Sequence, residues 1–116
     1  MIFSQGGLGL PDRDYYFKSD AATKSVVTAY KTYITKLFTL TGADSTTAMK
    51  NAELILDLEK TMAASHRTNV ERRDPESNYH KMAVTDFEKT APAFSLKTFL
   101  DNIGVKADSV DISQPA

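Results

Sequence analysis

Cysteine is absent from these 116 residues, which excludes a disulfide scaffold and a thiolate zinc site. It leaves the compartment open, because many periplasmic proteins also lack cysteine. No apolar run reaches the length of a membrane span, and no basic-then-apolar leader is visible, so nothing in this stretch reads as membrane-inserting or secretion-directing. Charge of one sign is not in excess: 14 Lys and Arg oppose 15 Asp and Glu, interspersed along the chain. Nucleic acid and anionic membrane are therefore poor partners. Histidine is scarce as well, with only His66 and His80. No Gly-x-Ser-x-Gly elbow, dinucleotide fingerprint or Walker loop occurs.

What is present fits one globular domain, with 41% hydrophobic and 25% charged residues. A chain of this length buries about two-thirds of its unfolded surface. Met1 followed by Ile2 and Phe3 reads as a start inside a longer frame. The tail from Ser109 to Ala116 lacks a closing element, so both ends are expected to be cut.

Three of the five glycines fall in QGGLGLPDRDYYF, residues 5–17. Gly6, Gly7 and Gly9 permit angles closed to other residues, and Pro11 fixes the path beyond them. Asp12 and Asp14 flank Arg13, which makes a charge-balanced turn rather than an acid–base pair. Tyr15 and Tyr16 read as anchors at the edge of a core, with phenol groups hydrogen-bonded.

Ser19 or Asp20 then caps a predicted helix to about Thr41. Val26, Val27, Tyr30, Tyr33, Ile34, Leu37 and Phe38 form its apolar stripe, and Gly42 stops it. A second helix is expected from Ser45–Thr47 to Ser65 on Ala48, Ala52, Ile55, Leu58 and Met62. The short connection makes the pair an antiparallel hairpin. Beyond it, Thr68 with Glu71 and Thr85 with Glu88 fit capping boxes, and Asp74-Pro75 fits a cap with proline following. Ser95 caps a last helix on Leu96, Phe99, Leu100 and Ile103, closed by Gly104, and Val110 with Ile112 hints at an extended segment. The expected class is all-α, an antiparallel helical hairpin plus short helices with an irregular glycine-rich N-terminal arm.

A zinc peptidase helix carries two histidines four apart with a glutamate between them. His66 and His80 stand fourteen positions apart in HRTNV and HKMAV, so neither forms that motif. A two-histidine site with Glu71, Asp74 or Glu76 is chemically conceivable, but polar loop positions are the plainer reading. Glu59 falls inside the apolar stripe of the second helix. A buried carboxylate needs a partner, and the expected one is Arg72 or Arg73. The alternative is a helix-edge glutamate pairing with Lys60 or Lys50.

The segment GLGLPDRDYY resembles the GLGLP-x-RDYY signature of the neprilysin-like zinc metallopeptidases, the M13 family with its bacterial PepO-type members. Three further matches follow in order. They are Ala29, Tyr30, Tyr33 and Ile34; then Leu58, Glu59 and Ala63; then Arg72, Arg73, Asp74, Pro75, Tyr79, Lys81 and Met82. A phenylalanine-rich helix over Phe94–Leu100 completes the resemblance, which covers residues 5 to about 104.

The resemblance implies a glycine-rich arm over 1–18, a helical portion of the N-terminal peptidase domain over 19–104, and a truncated extended tail over 105–116. It implies a parent zinc metalloendopeptidase whose HExxH helix lies further toward the C-terminus. This segment then has no catalytic, metal or cofactor residues and is inactive alone. Glu59, Arg72, Arg73, Arg13, Asp14, Tyr15 and Tyr16 carry structural roles. The implied partners are the catalytic domain of the parent, with which these helices enclose a cavity that admits peptides, and the peptide substrates themselves. Phe17 and Lys18 stand where animal members carry cysteine, which points to a bacterial relative and a periplasmic or extracytoplasmic location. Apolar surface exposed by the cut is expected to drive self-association or exchange of the glycine-rich arm. Two rival readings are a free-standing helical interaction module with a Tyr/Phe face, and a small complete enzyme holding zinc on His66 and His80.

Overall fold

The computed structural model describes residues 1–114. Its elements, in chain order, are strand β1 (Ile2–Phe3), a 3-10 turn (Arg13–Tyr16), helix α1 (Ala21–Leu40), helix α2 (Ser45–Ser65), a second 3-10 turn (Glu71–Arg73), strand β2 (Lys81–Ala83), helix α3 (Val84–Thr90), helix α4 (Leu96–Asn102) and strand β3 (Ser109–Ile112). They fall into two compact units, Gly6–Asn69 and Met1–Gln5 with the stretch from Val70 onward.

In the first unit, both long helices start where a side chain satisfies the open amides. Asp20 accepts from the Thr23 amide at 2.9 Å and from its hydroxyl at 2.7 Å. Asp44 accepts from the amides of Thr46 and Thr47 at 3.0 and 3.1 Å. These bonds to charged oxygens hold both cap carboxyls below their usual range, the backbone amide acting first at Asp20 and the Thr47 hydroxyl first at Asp44. Helix α1 ends at Gly42, whose φ of 99° is left-handed and suits glycine.

The two helices pack against each other, with Lys31 Nζ 2.6 Å from Glu53 Oε1. Small residues are the most deeply covered: Ala48, Ala52 and Ala63 are fully buried, and Ile34 is nearly so. Several positions of the predicted stripes stay outside it. Tyr33, Leu37 and Leu58 are 57%, 43% and 61% exposed, so the periodicity outlines a wider apolar face than this unit itself covers.

The second unit corrects the all-α expectation: the chain is mostly helical but carries a three-stranded sheet in the order β1-β3-β2. Strand β3 is central, parallel to β1 (Ile2↔Asp111, Phe3↔Ile112) and antiparallel to β2 (Met82↔Val110). Val110, the inward residue of β3, is buried with Val84, Leu96 and Leu100. Phe3, Phe87, Phe94 and Phe99 run beside this core as a row of ring contacts 5.8 to 6.5 Å between centroids.

The expected caps here are partly reassigned. Ser95 does cap α4 through the Thr98 amide at 3.2 Å. Helix α3 begins at Val84 with no side-chain cap, so Thr85 lies inside it. Its Glu88 instead accepts from the Lys97 amide at 3.0 Å and braces the start of α4. Asp74 accepts from the amides of Glu76 and Ser77, and this closes a turn where a helix had been expected. The expected tail over 105–116 ends in Pro115 and Ala116, outside the described residues.

Candidate functional site

The chain's buried carboxylate organises the first unit. Glu59 sits in α2 one turn before the buried Ala63 and is only 8% exposed. Its Oε2 accepts from the Tyr16 hydroxyl at 2.7 Å, and its Oε1 accepts from the Tyr30 hydroxyl at 2.9 Å and the Gly9 amide at 3.2 Å. Three stretches of chain meet there: the glycine-rich segment, the first 3-10 turn and α1. Tyr16 extends the set, its oxygen accepting from the Leu10 amide at 3.1 Å. Leu10 itself is buried.

This geometry explains a glycine. A Cβ on Gly9 would overlap the Tyr30 hydroxyl and approach Glu59 Oε1 to 3.0 Å, so backbone and carboxylate meet only because no side chain intervenes. At Gly7 the reason is conformational, a φ of 88°.

The electrostatics follow from burial and from the shared acceptor. Desolvation first, and then the hydrogen bond to Glu59, pushes the Tyr30 phenol up to about 12. The same two causes raise Tyr16, against a smaller opposing effect of the Leu10 amide. Both phenols therefore stay protonated donors at any ordinary pH. Three of the roughly four acceptor positions of the carboxylate are spent on the fold, which leaves it ill-suited to take a proton from a substrate or water.

The other sequence-predicted residues lie around this centre. Arg13 donates from Nε to the Ala63 carbonyl at 3.3 Å, and its guanidinium lies 5.3 Å from the Phe17 ring centroid. The Asp14 amide donates to Asp12 Oδ1 at 2.8 Å, and its carboxylate pairs with Lys18 at 3.0 Å. Asp12 also accepts from the Asn69 side chain at 3.0 Å. Tyr15 is half-buried beside Tyr16.

Arg72 and Arg73 are exposed in the second 3-10 turn. The arginine partner expected for Glu59 is corrected: two phenols and the Gly9 amide take three of its acceptor positions, the amide coming close because Gly9 has no side chain. Sequence reasoning assigned Tyr30 to the core and missed its bond. The available signal was that a phenol facing a core stripe needs a partner for its hydroxyl.

The two histidines belong to different units. His66 closes α2, its amide donating to the Ala63 carbonyl at 3.2 Å. His80 precedes β2 and donates its amide to Asp111 Oδ1 at 2.8 Å, while its Nδ1 is buried with no partner among the described residues. Among the described residues no group of three or more His, Cys, Asp or Glu side chains gathers to hold a metal, and no helix is long and apolar enough to cross a membrane.

Beside Glu59 the surface of the first unit opens into a groove of about 370 Å³. Tyr30, Tyr33, Ile34, Leu37 and Phe38 of α1 face Ile55 and Glu59 of α2 across it.

Known proteins are similar to this chain in sequence and in fold. The profile described as peptidase family M13 matches residues 1–116. Human endothelin-converting enzyme 1 is 37% identical over 100 residues, covering 85% of this chain and 13% of that protein. The rat endothelin-converting enzyme-like 1 is 35% identical over 101 residues, with the same coverage. Mycobacterium tuberculosis zinc metalloprotease Zmp1 in its open state superposes with a TM-score of 0.87 at 29% identity, covering 98% of this chain and 18% of that one. The chain thus spans less than a fifth of the length of these relatives.

Proposed function

This chain belongs to peptidase family M13, and from that premise we propose that it is a helical, non-catalytic part of a zinc metalloendopeptidase. One observation carries the reading: the signature residues are consumed in structure. Gly9 and Tyr16 bind Glu59, and the Leu10 amide binds Tyr16 in turn. A family signature spent on fastening a glycine-rich arm to two helices suits a wall of a larger enzyme better than a reaction centre. The similarity to Zmp1, described as a zinc metalloprotease, supports zinc and peptide hydrolysis as properties of the parent.

In this reading α1 and α2 form an antiparallel hairpin, and the arm of residues 1–18 clasps it through its stretch 6–18. The portion over 19–104 helps enclose the cavity in which the catalytic domain of the parent cuts peptides. The stretch 105–116 is a tail continuing into the parent. Glu59, Arg13, Asp14, Tyr15 and Tyr16 hold the wall in shape, and Arg72 and Arg73 serve the turn after α2. The zinc, held by an HExxH helix elsewhere in the parent, would supply an activated water, and the location is extracytoplasmic. Separated from the parent, the chain is inactive and associates with itself through exposed apolar side chains.

The test joins gene and protein. The reading frame extended beyond this stretch is expected to encode HExxH followed by a glutamate ligand, and the parent is expected to cleave a quenched fluorescent peptide in a chelator-sensitive way. The 116-residue chain alone is expected to leave that peptide intact. Chelator-sensitive cleavage by the chain alone would overturn the proposal, and a frame without HExxH would favour an interaction module.

A further inference from the structure

The groove between α1 and α2 carries a feature that its packing leaves unused. No ion pair among the described residues involves Glu59. The three groups that bind it, two phenols and an amide, are neutral donors, and one acceptor position remains. A carboxylate 8% exposed and bound only by neutral groups is incompletely compensated for an anion removed from water. It lines a groove whose other walls are Ile34, Leu37, Phe38 and Ile55 with the rings of Tyr30 and Tyr33. Apolar walls, aromatic faces and a spare carboxylate acceptor fit one kind of group, an arginine or lysine whose aliphatic stem lies on the apolar walls. Leu40 and Leu58, 74% and 61% exposed, add apolar surface on the same two helices.

We infer that this groove seats a segment of the parent polypeptide outside residues 1–116, a segment presenting a basic side chain to Glu59 between apolar neighbours. The inference rests on the reading that the chain is part of a longer enzyme. Coverage of only 13% and 18% of the relatives leaves most of such a polypeptide available to supply the occupant. A second copy of the chain or a substrate peptide are the competing occupants. Charge disfavours two copies meeting groove to groove: each groove offers an anion, and among its lining residues there is no Lys or Arg to offer in return.

Two measurements decide it. Benzoylphenylalanine is placed at Tyr33 in the full-length parent, irradiated, and its attachment mapped by mass spectrometry. The expected product joins position 33 to a peptide outside residues 1–116 that contains arginine or lysine. Attachment only within residues 1–116, only to a second copy, only to an added substrate peptide, or to nothing overturns the inference. The double substitution Tyr33→Ser with Leu37→Ser is then compared in both forms. It is expected to lower the thermal midpoint of the parent by several degrees more than that of the 116-residue chain, in which Leu37 is already more than half covered; equal shifts in both overturn it. Neither readout depends on zinc or cleavage, so a parent without peptidase activity sinks the proposed function alone. A reading frame that stops near Ala116 sinks both.

Discussion

Replacing Glu59 with glutamine exchanges one oxygen for an NH2 group and tests the whole account of the arm. The carboxylate accepts from Tyr16 on one oxygen and from Tyr30 and Gly9 on the other. Glutamine keeps the shape and one oxygen, so the bonds from Tyr30 and Gly9 survive as neutral ones. Its amide nitrogen, facing Tyr16, is a donor turned toward a donor. The Tyr16 oxygen already accepts from the Leu10 amide, so reorienting that hydroxyl offers little relief. A hydrogen bond to a charged group contributes about 1.5–3 kcal/mol and a neutral one about half as much. One lost bond and two weakened ones, part of which water recovers, put the cost of Glu59→Gln at about 2–3 kcal/mol. Against a total stability of roughly 5–15 kcal/mol that is a large fraction.

Urea unfolding of the chain, followed by far-ultraviolet circular dichroism, is expected to show a lower midpoint with an unchanged slope. Tyr16→Phe is expected to cost less than Glu59→Gln. The double variant is expected to cost less than the sum, by more than about 0.5 kcal/mol, because both remove the same bond. A midpoint for Glu59→Gln within error of the wild type, or strict additivity with Tyr16→Phe, would refute the reasoning.

Three further outcomes are expected. Gly9→Ala places a methyl group on the Tyr30 hydroxyl and is expected to cost about 1.5–3 kcal/mol, the worth of the displaced bond; in a Tyr30→Leu background, where only the approach to Glu59 remains, the same change is expected to cost clearly less, and equal costs in both would contradict the steric account. Tyr30 carries a phenol raised from about 10 to about 12, so its stabilising contribution is complete below pH 10 and is lost as pH rises through 12; absorbance of tyrosinate is expected to show some of the five tyrosines titrating late, together with unfolding. Leu96→Ala removes a fully buried side chain and is expected to cost about 2–5 kcal/mol, with amide exchange accelerating in the sheet-containing unit.

Residues whose partners are close in sequence were readable in advance. Asp20 with Thr23, Ser95 with Thr98 and the stop at Gly42 all lie within a turn of one another, where spacing alone decides the bond. Glu59 was legible as a buried carboxylate because the stripe of α2 passes through it. Its donors were not, since Gly9 and Tyr30 lie 50 and 29 positions away. Of the sheet only β3 was legible, in the alternation of Val110 and Ile112. Strands β1 and β2, of two and three residues, show too little alternation to register, and β1 pairs with a strand more than a hundred positions later. Leu58 failed in the opposite sense: periodicity marked it as inward, yet it is exposed, because a stripe records which face is apolar and not what covers it.

The parallel pairing of β1 with β3 imposes an order of events on the ribosome. Phe3 emerges well before its strand partner Ile112, which is translated 109 positions later, a wait of roughly 5–20 s at ordinary elongation rates. Through that interval Ile2 and Phe3 are an unpaired apolar stretch that nascent-chain chaperones can grip, and β1 finds its place in the sheet only once β3 has been made.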